Sequence, residues 1–167
     1  EALKNCKKVM KETKCDGVKL EGGKKIKNII EHLVKNKIPV LGHLGILPQS
    51  VRGKFKSKGK SLREKNQIMR DAKILENAGV FAIVLECVES SLSKAITKQI
   101  KIPTIGIGSS NNCDGQILVT DDILGLTNSK IKFVKKFVDV KKLITEGAKK
   151  FNTEVKSKKY PSKKYSY

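Results

Sequence analysis

Val80-Phe-Ala-Ile-Val-Leu-Glu86 is apolar almost from end to end and closes on a single carboxylate. A strand with one solvated face alternates apolar and polar residues, whereas one buried on both faces runs apolar throughout. The segment therefore reads as a central strand of a parallel sheet. Its surroundings agree. Upstream, Ser61-Leu-Arg-Glu64 has the form of a capping box and opens a helix that carries Ile68, Ala72 and Leu75 and stops at Gly79. Downstream, Ser90–Gln99 reads as a second helix, followed by strands at Ile102–Gly108 and Gly115–Thr120. Towards the N-terminus, Ile26, Ile29, Ile30, Leu33 and Val34 follow the i, i+3, i+4, i+7, i+8 spacing of an amphipathic helix over Lys24–Lys37. Strands at Asp16–Glu21 and Ile38–His43 flank it. Glu1–Met10 is helical in period, and Phe133–Val155 reads as one or two helices.

Strands that alternate with helices build βα units on a parallel sheet. Five strands are too few for a closed eight-stranded barrel, which takes about 250 residues. The 167 residues thus form either an open sheet or the later part of a barrel. The polar residues favour the barrel. Lys19, Glu21, His43 and Glu86 all fall at the C-terminal ends of strands, the face on which a barrel assembles its active site.

Lys19 and Glu21 are two apart on a strand and share one side of it. A cation and an anion placed together there are costly as a buried ion pair and useful as a binding pocket. Pro39-Val-Leu-Gly-His-Leu-Gly-Ile-Leu-Pro-Gln-Ser50 sets His43 between Gly42 and Gly45 at a strand exit. Glycines there let a ligand or a second backbone come close. Such an imidazole would orient a substrate or relay a proton. At the end of its apolar strand Glu86 would be partly desolvated, which raises a carboxyl pKa and suits a general base. Asp122 reads as the cap of a short helix. Gly106 and Gly108 fit strand curvature as well as an anion cradle. The Gly/Lys/Ser loop Arg52–Lys60 would be a solvated connection or a lid over the pocket.

Composition narrows the classes of function. Lys+Arg is 36 against Asp+Glu 16, a net charge of +20. Only Arg52, Arg63 and Arg70 are arginines, there is no Trp, and aromatics are 5%. Bidentate phosphate contacts and stacking platforms are therefore scarce, which argues against nucleic acid as partner and for a solvated basic surface. Cys6, Cys15, Cys87 and Cys113 lack C-x-x-C spacing and, with His32 and His43, complete no zinc motif. They read as reduced cytosolic thiols. No apolar run reaches the ~18 residues of a membrane span, and the sequence reads as that of a cytoplasmic protein.

Val18-Lys-Leu-Glu-Gly-Gly23, Gly42-His-Leu-Gly45, Val84-Leu-Glu-Cys-Val88, Ile102-Pro-Thr-Ile-Gly-Ile-Gly108 and Cys113-Asp-Gly-Gln-Ile-Leu-Val119 together resemble ketopantoate hydroxymethyltransferase in order and spacing. The resemblance covers nearly the whole chain. It implies a TIM (β/α)8 barrel, of which residues 1–155 would be the later units, about strands 4–8, with C-terminal helices, and 156–167 a polar tail. The chain would begin in the helix before strand four of a longer sequence. The resemblance also implies Mg²⁺ and 5,10-methylenetetrahydrofolate, a 2-oxo acid substrate, and a homo-oligomer, decameric in the family. Lys19 would bind the oxo acid, Glu21 would be the third acidic ligand of the magnesium, His43 would be catalytic, and Glu86 would accept the proton. The family's two metal-binding aspartates have no counterpart in these residues. Glu89 and Ile131 stand where the family has prolines, Ser110 for a glycine and Asp121 for a histidine. Two rivals stay open: a related magnesium-dependent barrel enzyme acting on another 2-oxo acid or phosphoenolpyruvate by lyase or mutase chemistry, and an inactive, lysine-rich binding module.

Overall fold

The structure is a computed structural model that describes residues 1–50 and 56–167. The chain divides into two compact units, Glu1–Ile117 and Leu118–Tyr167.

The first unit is an α/β layer. Helix α1 (Ala2–Thr13) leads into β1 (Val18–Glu21), a 3-10 turn (Lys24–Ile26), α2 (Lys27–Lys35) and β2 (Val40–Gly45). Then come α3 (Leu62–Asn77), β3 (Ala82–Glu86), α4 (Ser90–Gln99), β4 (Thr104–Ile107) and the two-residue β5 (Gly115–Gln116). The five strands pair in parallel in the order β1-β2-β3-β4-β5. Each strand adds beside its predecessor, the progression of a (β/α) barrel rather than of a doubly wound sheet. Among the described residues the sheet stays open.

Side-chain alternation sorts the two faces. Val40, Leu44, Ile83 and Leu85 join Ile30 and Leu33 of α2, Ala72 and Leu75 of α3, and Leu92 and Ile96 of α4 in one apolar core. Val18 and Leu20 pack against it. The intervening residues of the same strands, Lys19, Glu21, His43 and Glu86, therefore project from the opposite face. Every residue of β3 is buried, as its apolar run predicts.

Local signals explain the helix ends. Ser61 Oγ accepts a hydrogen bond from Glu64 N–H at 3.2 Å, while the Glu64 carboxylate turns to Gly59 N–H at 3.1 Å. The expected capping box is thus half closed, and its second arm secures the loop before the helix. Glu89, in the place of a family proline, caps α4 by accepting from Ser91 and Leu92 N–H. Its hydrogen bonds, led by the one from the Ser91 side chain, hold its carboxyl at about 2. The helix expected over Lys24–Lys37 divides, its first turn being 3-10.

The second unit departs further from expectation. The strand predicted over Gly115–Thr120 ends at Gln116, and the last ladder bond runs from Ile117 N–H to the Gly106 carbonyl at 3.0 Å. The Val119 carbonyl turns instead to Asp122 and Ile123 N–H, as N-cap of the short α5 (Thr120–Ile123). Asp122 is not that cap. It lies inside α5 and accepts from Thr127 Oγ1 at 2.5 Å. The helical reading from Phe133 holds only from α6 (Val140–Lys156), capped by Asp139 accepting from Lys142 N–H at 3.0 Å. Residues before it are sewn to α5 through Phe137 N–H to Ile123 O and Val140 N–H to Leu124 O, both 2.9 Å. In the expected tail, Tyr160 packs edge-on against Phe151, with ring centroids 5.5 Å apart. Among the described residues no helix is long and apolar enough to cross a membrane.

Candidate active site

Three adjacent strand exits bring the four sequence-predicted residues together. In the ladder Glu21 lies beside His43, and Gly45 beside Glu86. Lys19 Nζ lies 3.7 Å from Glu21 Oε1 and 3.4 Å from His43 Nδ1. His43 Nε2 lies 3.3 Å from Glu86 Oε2. Glu21, Lys19, His43 and Glu86 thus form one continuous chain of charged and polar groups. Both carboxylates and the imidazole are shielded from solvent, whereas the lysine side chain is 43% exposed.

The contacts fix the state of His43. An ammonium group only donates, so Nδ1, facing Lys19, accepts, and the ring hydrogen sits on Nε2, towards Glu86. This tautomer is assigned from the hydrogen-bonding pattern. Burial, and then the Lys19 charge, lower the His43 pKa and keep the ring neutral. The Nε2–H is buried and makes no aligned hydrogen bond despite its proximity to Glu86. A buried donor left so costs about 1–3 kcal/mol. Burial pushes Glu86 above the usual carboxylate range, with Lys19 opposing.

Neighbouring backbone explains the glycines. A Cβ on Gly45, whose φ is +98°, would lie 2.1 Å from the Glu86 carbonyl oxygen. That carbonyl accepts from Ile46 N–H at 2.9 Å, so Gly45 allows β2 to close on β3 beside Glu86. Gly42 makes room for Leu75 of α3. At Gly45 the expected close approach of a second backbone is met. Gly106 is faced by the Gln116 amide, 2.7 Å from where a Cβ would be, so it lines no open cradle.

Other contributors escaped the sequence reading. Gln49 N–H donates to Glu21 Oε2 at 3.1 Å. Cys87 follows Glu86 in a left-handed conformation (φ +51°), and burial pushes its thiol up to about 11, with the Glu86 charge adding to the effect. Of the loop Arg52–Lys60, residues 52–55 lie outside the described residues. Beyond them, Lys58 N–H donates to Cys87 O at 2.8 Å and Lys58 O accepts from Glu89 N–H at 2.9 Å. This end of the loop is pinned beside the exit of β3. Glycine at position 59 is the one sequence signal for that approach, since a Cβ there would strike Leu92 at 2.4 Å.

Among the described residues no three carboxylate, histidine or thiol groups cluster as a metal site. Glu21 offers hard oxygens, one bonded to Gln49 N–H and one facing Lys19. Mg²⁺ takes one or two protein carboxylates and completes its shell with water and substrate oxygens. Glu21 therefore fits as a single ligand of such an ion.

Known proteins resemble the chain throughout. The family model described as ketopantoate hydroxymethyltransferase matches residues 1–163. The 3-methyl-2-oxobutanoate hydroxymethyltransferase of Pelagibacter ubique (strain HTCC1062) is 59% identical over 167 residues, which are 100% of this chain and 65% of that protein. The protein of the same name from Carboxydothermus hydrogenoformans is 46% identical over 170 residues, 100% of this chain and 62% of that protein. That from Chlorobaculum tepidum is 43% identical over 170 residues, with 100% and 61% covered. The chain spans 61% to 65% of the length of these relatives. With the motifs in order on one sheet and the family match running almost end to end, the chain belongs to the ketopantoate hydroxymethyltransferase family.

Proposed function

We propose that the protein carrying this chain transfers a hydroxymethyl group from 5,10-methylenetetrahydrofolate to 3-methyl-2-oxobutanoate, giving 2-dehydropantoate for pantothenate synthesis. The observation that carries the reading is Glu86: a shielded carboxyl of raised pKa at a strand exit, beside a neutral imidazole. A base of this kind holds a proton well enough to remove it from a carbon acid.

Lys19 would bind the oxo acid through its carboxylate or keto oxygen. His43, with Nε2–H unpaired, would donate to a substrate oxygen and hold the acid against Glu86. Bound Mg²⁺, with Glu21 among its ligands, supplies Lewis-acid polarisation of the 2-oxo acid. Glu86 takes the C3 proton, and the electron pair of that C–H bond becomes the enolate. Water adds its hydroxyl to the one-carbon unit of the folate as the first of that unit's two C–N bonds breaks. The enolate carbon bonds to the same carbon as the second breaks, and tetrahydrofolate leaves with one proton from water and the one that Glu86 took. The proposal extends to a cytoplasmic homo-oligomer, decameric as in the family.

The test is formation of 2-dehydropantoate from the two substrates with and without Mg²⁺. Lys19→Ala should weaken oxo-acid binding by roughly 1.5–3 kcal/mol, the worth of a hydrogen bond to a charged group. An unchanged oxo-acid dissociation constant removes Lys19 from the site. Turnover of an oxo acid indifferent to folate overturns the transferase reading and favours lyase or mutase chemistry.

A further inference from the structure

The backbone leaves β1 through Gly22 and Gly23, directly after Glu21, and this exit is held from two sides. Gly22 N–H donates to the His43 carbonyl at 3.1 Å. Lys24 N–H donates to Asp71 Oδ1, on α3, at 3.0 Å. The 3-10 turn that starts at Lys24 receives no side-chain cap from Gly23, so Asp71 caps it from another element. The second carboxylate oxygen accepts from Gln67 Nε2 at 3.0 Å, one helical turn away, which fixes the rotation of the group. Packing leaves little freedom besides. A Cβ on Gly23 would lie 2.2 Å from Asp71 Cγ and 2.3 Å from Oδ2, so the carboxylate occupies space that only glycine vacates.

We infer that Asp71 is a positioning residue for Glu21: by capping the turn after β1 against α3, it sets how the Glu21 carboxylate is presented to cation and oxo acid. This rests on the proposed role of Glu21 as a ligand. Asp71 is partly exposed and absent from the apolar core. Its hydrogen bond goes to a backbone N–H three residues past Glu21, which ties it to the geometry of that exit. Supporting groups behind metal ligands typically cost 10–100-fold in affinity when removed.

The test uses the protein that carries this chain and the variants Asp71→Ala, Asp71→Asn, Gly23→Ala and Glu21→Gln. Mg²⁺ and 3-methyl-2-oxobutanoate are titrated calorimetrically beside steady-state kinetics. Asp71→Ala should weaken Mg²⁺-dependent oxo-acid binding by roughly 10–100-fold and speed hydrogen exchange at the Lys24 amide. Saturated turnover should fall far less, because Glu86 and His43 stand on other strands. Asp71→Asn keeps an acceptor for Lys24 N–H and should restore affinity, which separates positioning from general loss of stability. Gly23→Ala should mimic Asp71→Ala, and the double variant should be no worse than either single one, since the methyl enters the vacated space. Wild-type affinity in Asp71→Ala, with Glu21→Gln impaired, overturns the inference alone. Wild-type affinity in Glu21→Gln overturns the ligand role of Glu21, and the inference falls with it.

Discussion

Glu86→Gln separates chemistry from architecture at the proposed site. The amide matches the carboxylate in shape and can still present an oxygen to His43 Nε2, now 3.3 Å from Glu86 Oε2. It cannot accept a proton. Loss of a positioned base costs about 10²–10⁴ in rate, or about 2.7–5.4 kcal/mol of transition-state stabilisation. Oxo-acid affinity should change much less, because the base acts mainly in the transition state. Stability should move the other way. Burial raises the Glu86 pKa above its ordinary value of 4.5. As pH climbs past that value the unfolded chain releases the proton first, and the folded state loses stability until Glu86 itself ionises. The Gln variant avoids this loss, so it should be more stable than wild type at neutral pH, with the gap closing below the ordinary value. The assay is exchange of the C3 proton of 3-methyl-2-oxobutanoate with D₂O, followed by NMR without folate, beside thermal melts at pH 4 and 7. Exchange at the wild-type rate in Glu86→Gln would refute the assignment and move the base elsewhere, with His43 the first suspect.

Stability should also fall as pH drops below the ordinary histidine value of 6.5, because the unfolded chain binds a proton that buried His43 refuses; denaturant melts of His43→Gln should lose this slope, and its persistence would exonerate His43. Gly45→Ala forces a side chain to φ +98° and to 2.1 Å from the Glu86 carbonyl, so it should cost at least roughly 1–3 kcal/mol of backbone strain and lower turnover, while an unshifted denaturation midpoint would contradict the packing. A Cβ added at Gly147 of α6 would meet nothing within 4 Å among the described residues, and Gly147→Ala should stabilise by roughly 0.5–1 kcal/mol; a loss measured by the same melts would place an unseen neighbour there.

The sequence reached the sheet more fully than the second unit, for physical reasons. A buried parallel strand writes its environment into composition, so Val80–Glu86 was legible without reference to any partner. Ile117 and Val119 imitate that signal, but both are about half exposed. There the Val119 carbonyl serves α5 rather than a neighbouring strand. Phe133–Val138 carries helical spacing too, and its N–H of Phe137 is spent on the carbonyl of Ile123. The first competition is local and showed only in the short helix read at Asp122; the second joins residues 14 apart and leaves no trace in the segment itself. The same division runs through the site. Glu86 was legible because it closes an apolar strand, Lys19 and Glu21 because they alternate with Val18 and Leu20, and His43 because it stands between Gly42 and Gly45. Gln49, Lys58 and Asp71 act through backbone groups or on them, across long separations in the chain. Their side-chain types alone announce nothing.

The energetics of the polar face also bear on the choice of substrate. A fold selected only for stability gains little from shielding two carboxylates, half-burying an ammonium and leaving an imidazole N–H unpaired on adjacent strands. The valences left open have a common sense. Lys19 has three donor hydrogens and two neighbours within 3.7 Å, so one donor remains. His43 Nε2–H is a second unpaired donor. Glu86, raised by burial, is an acceptor matched to a weakly acidic proton. The complementary ligand carries acceptor oxygens for both donors and an acidified C–H for the carboxyl. A 2-oxo acid has that pattern, with carboxylate and keto oxygens that only accept and a C3 hydrogen made acidic by the adjacent carbonyl. A simple alcohol would bring a hydroxyl donor and no acidic carbon, and would leave Glu86 without chemistry to do.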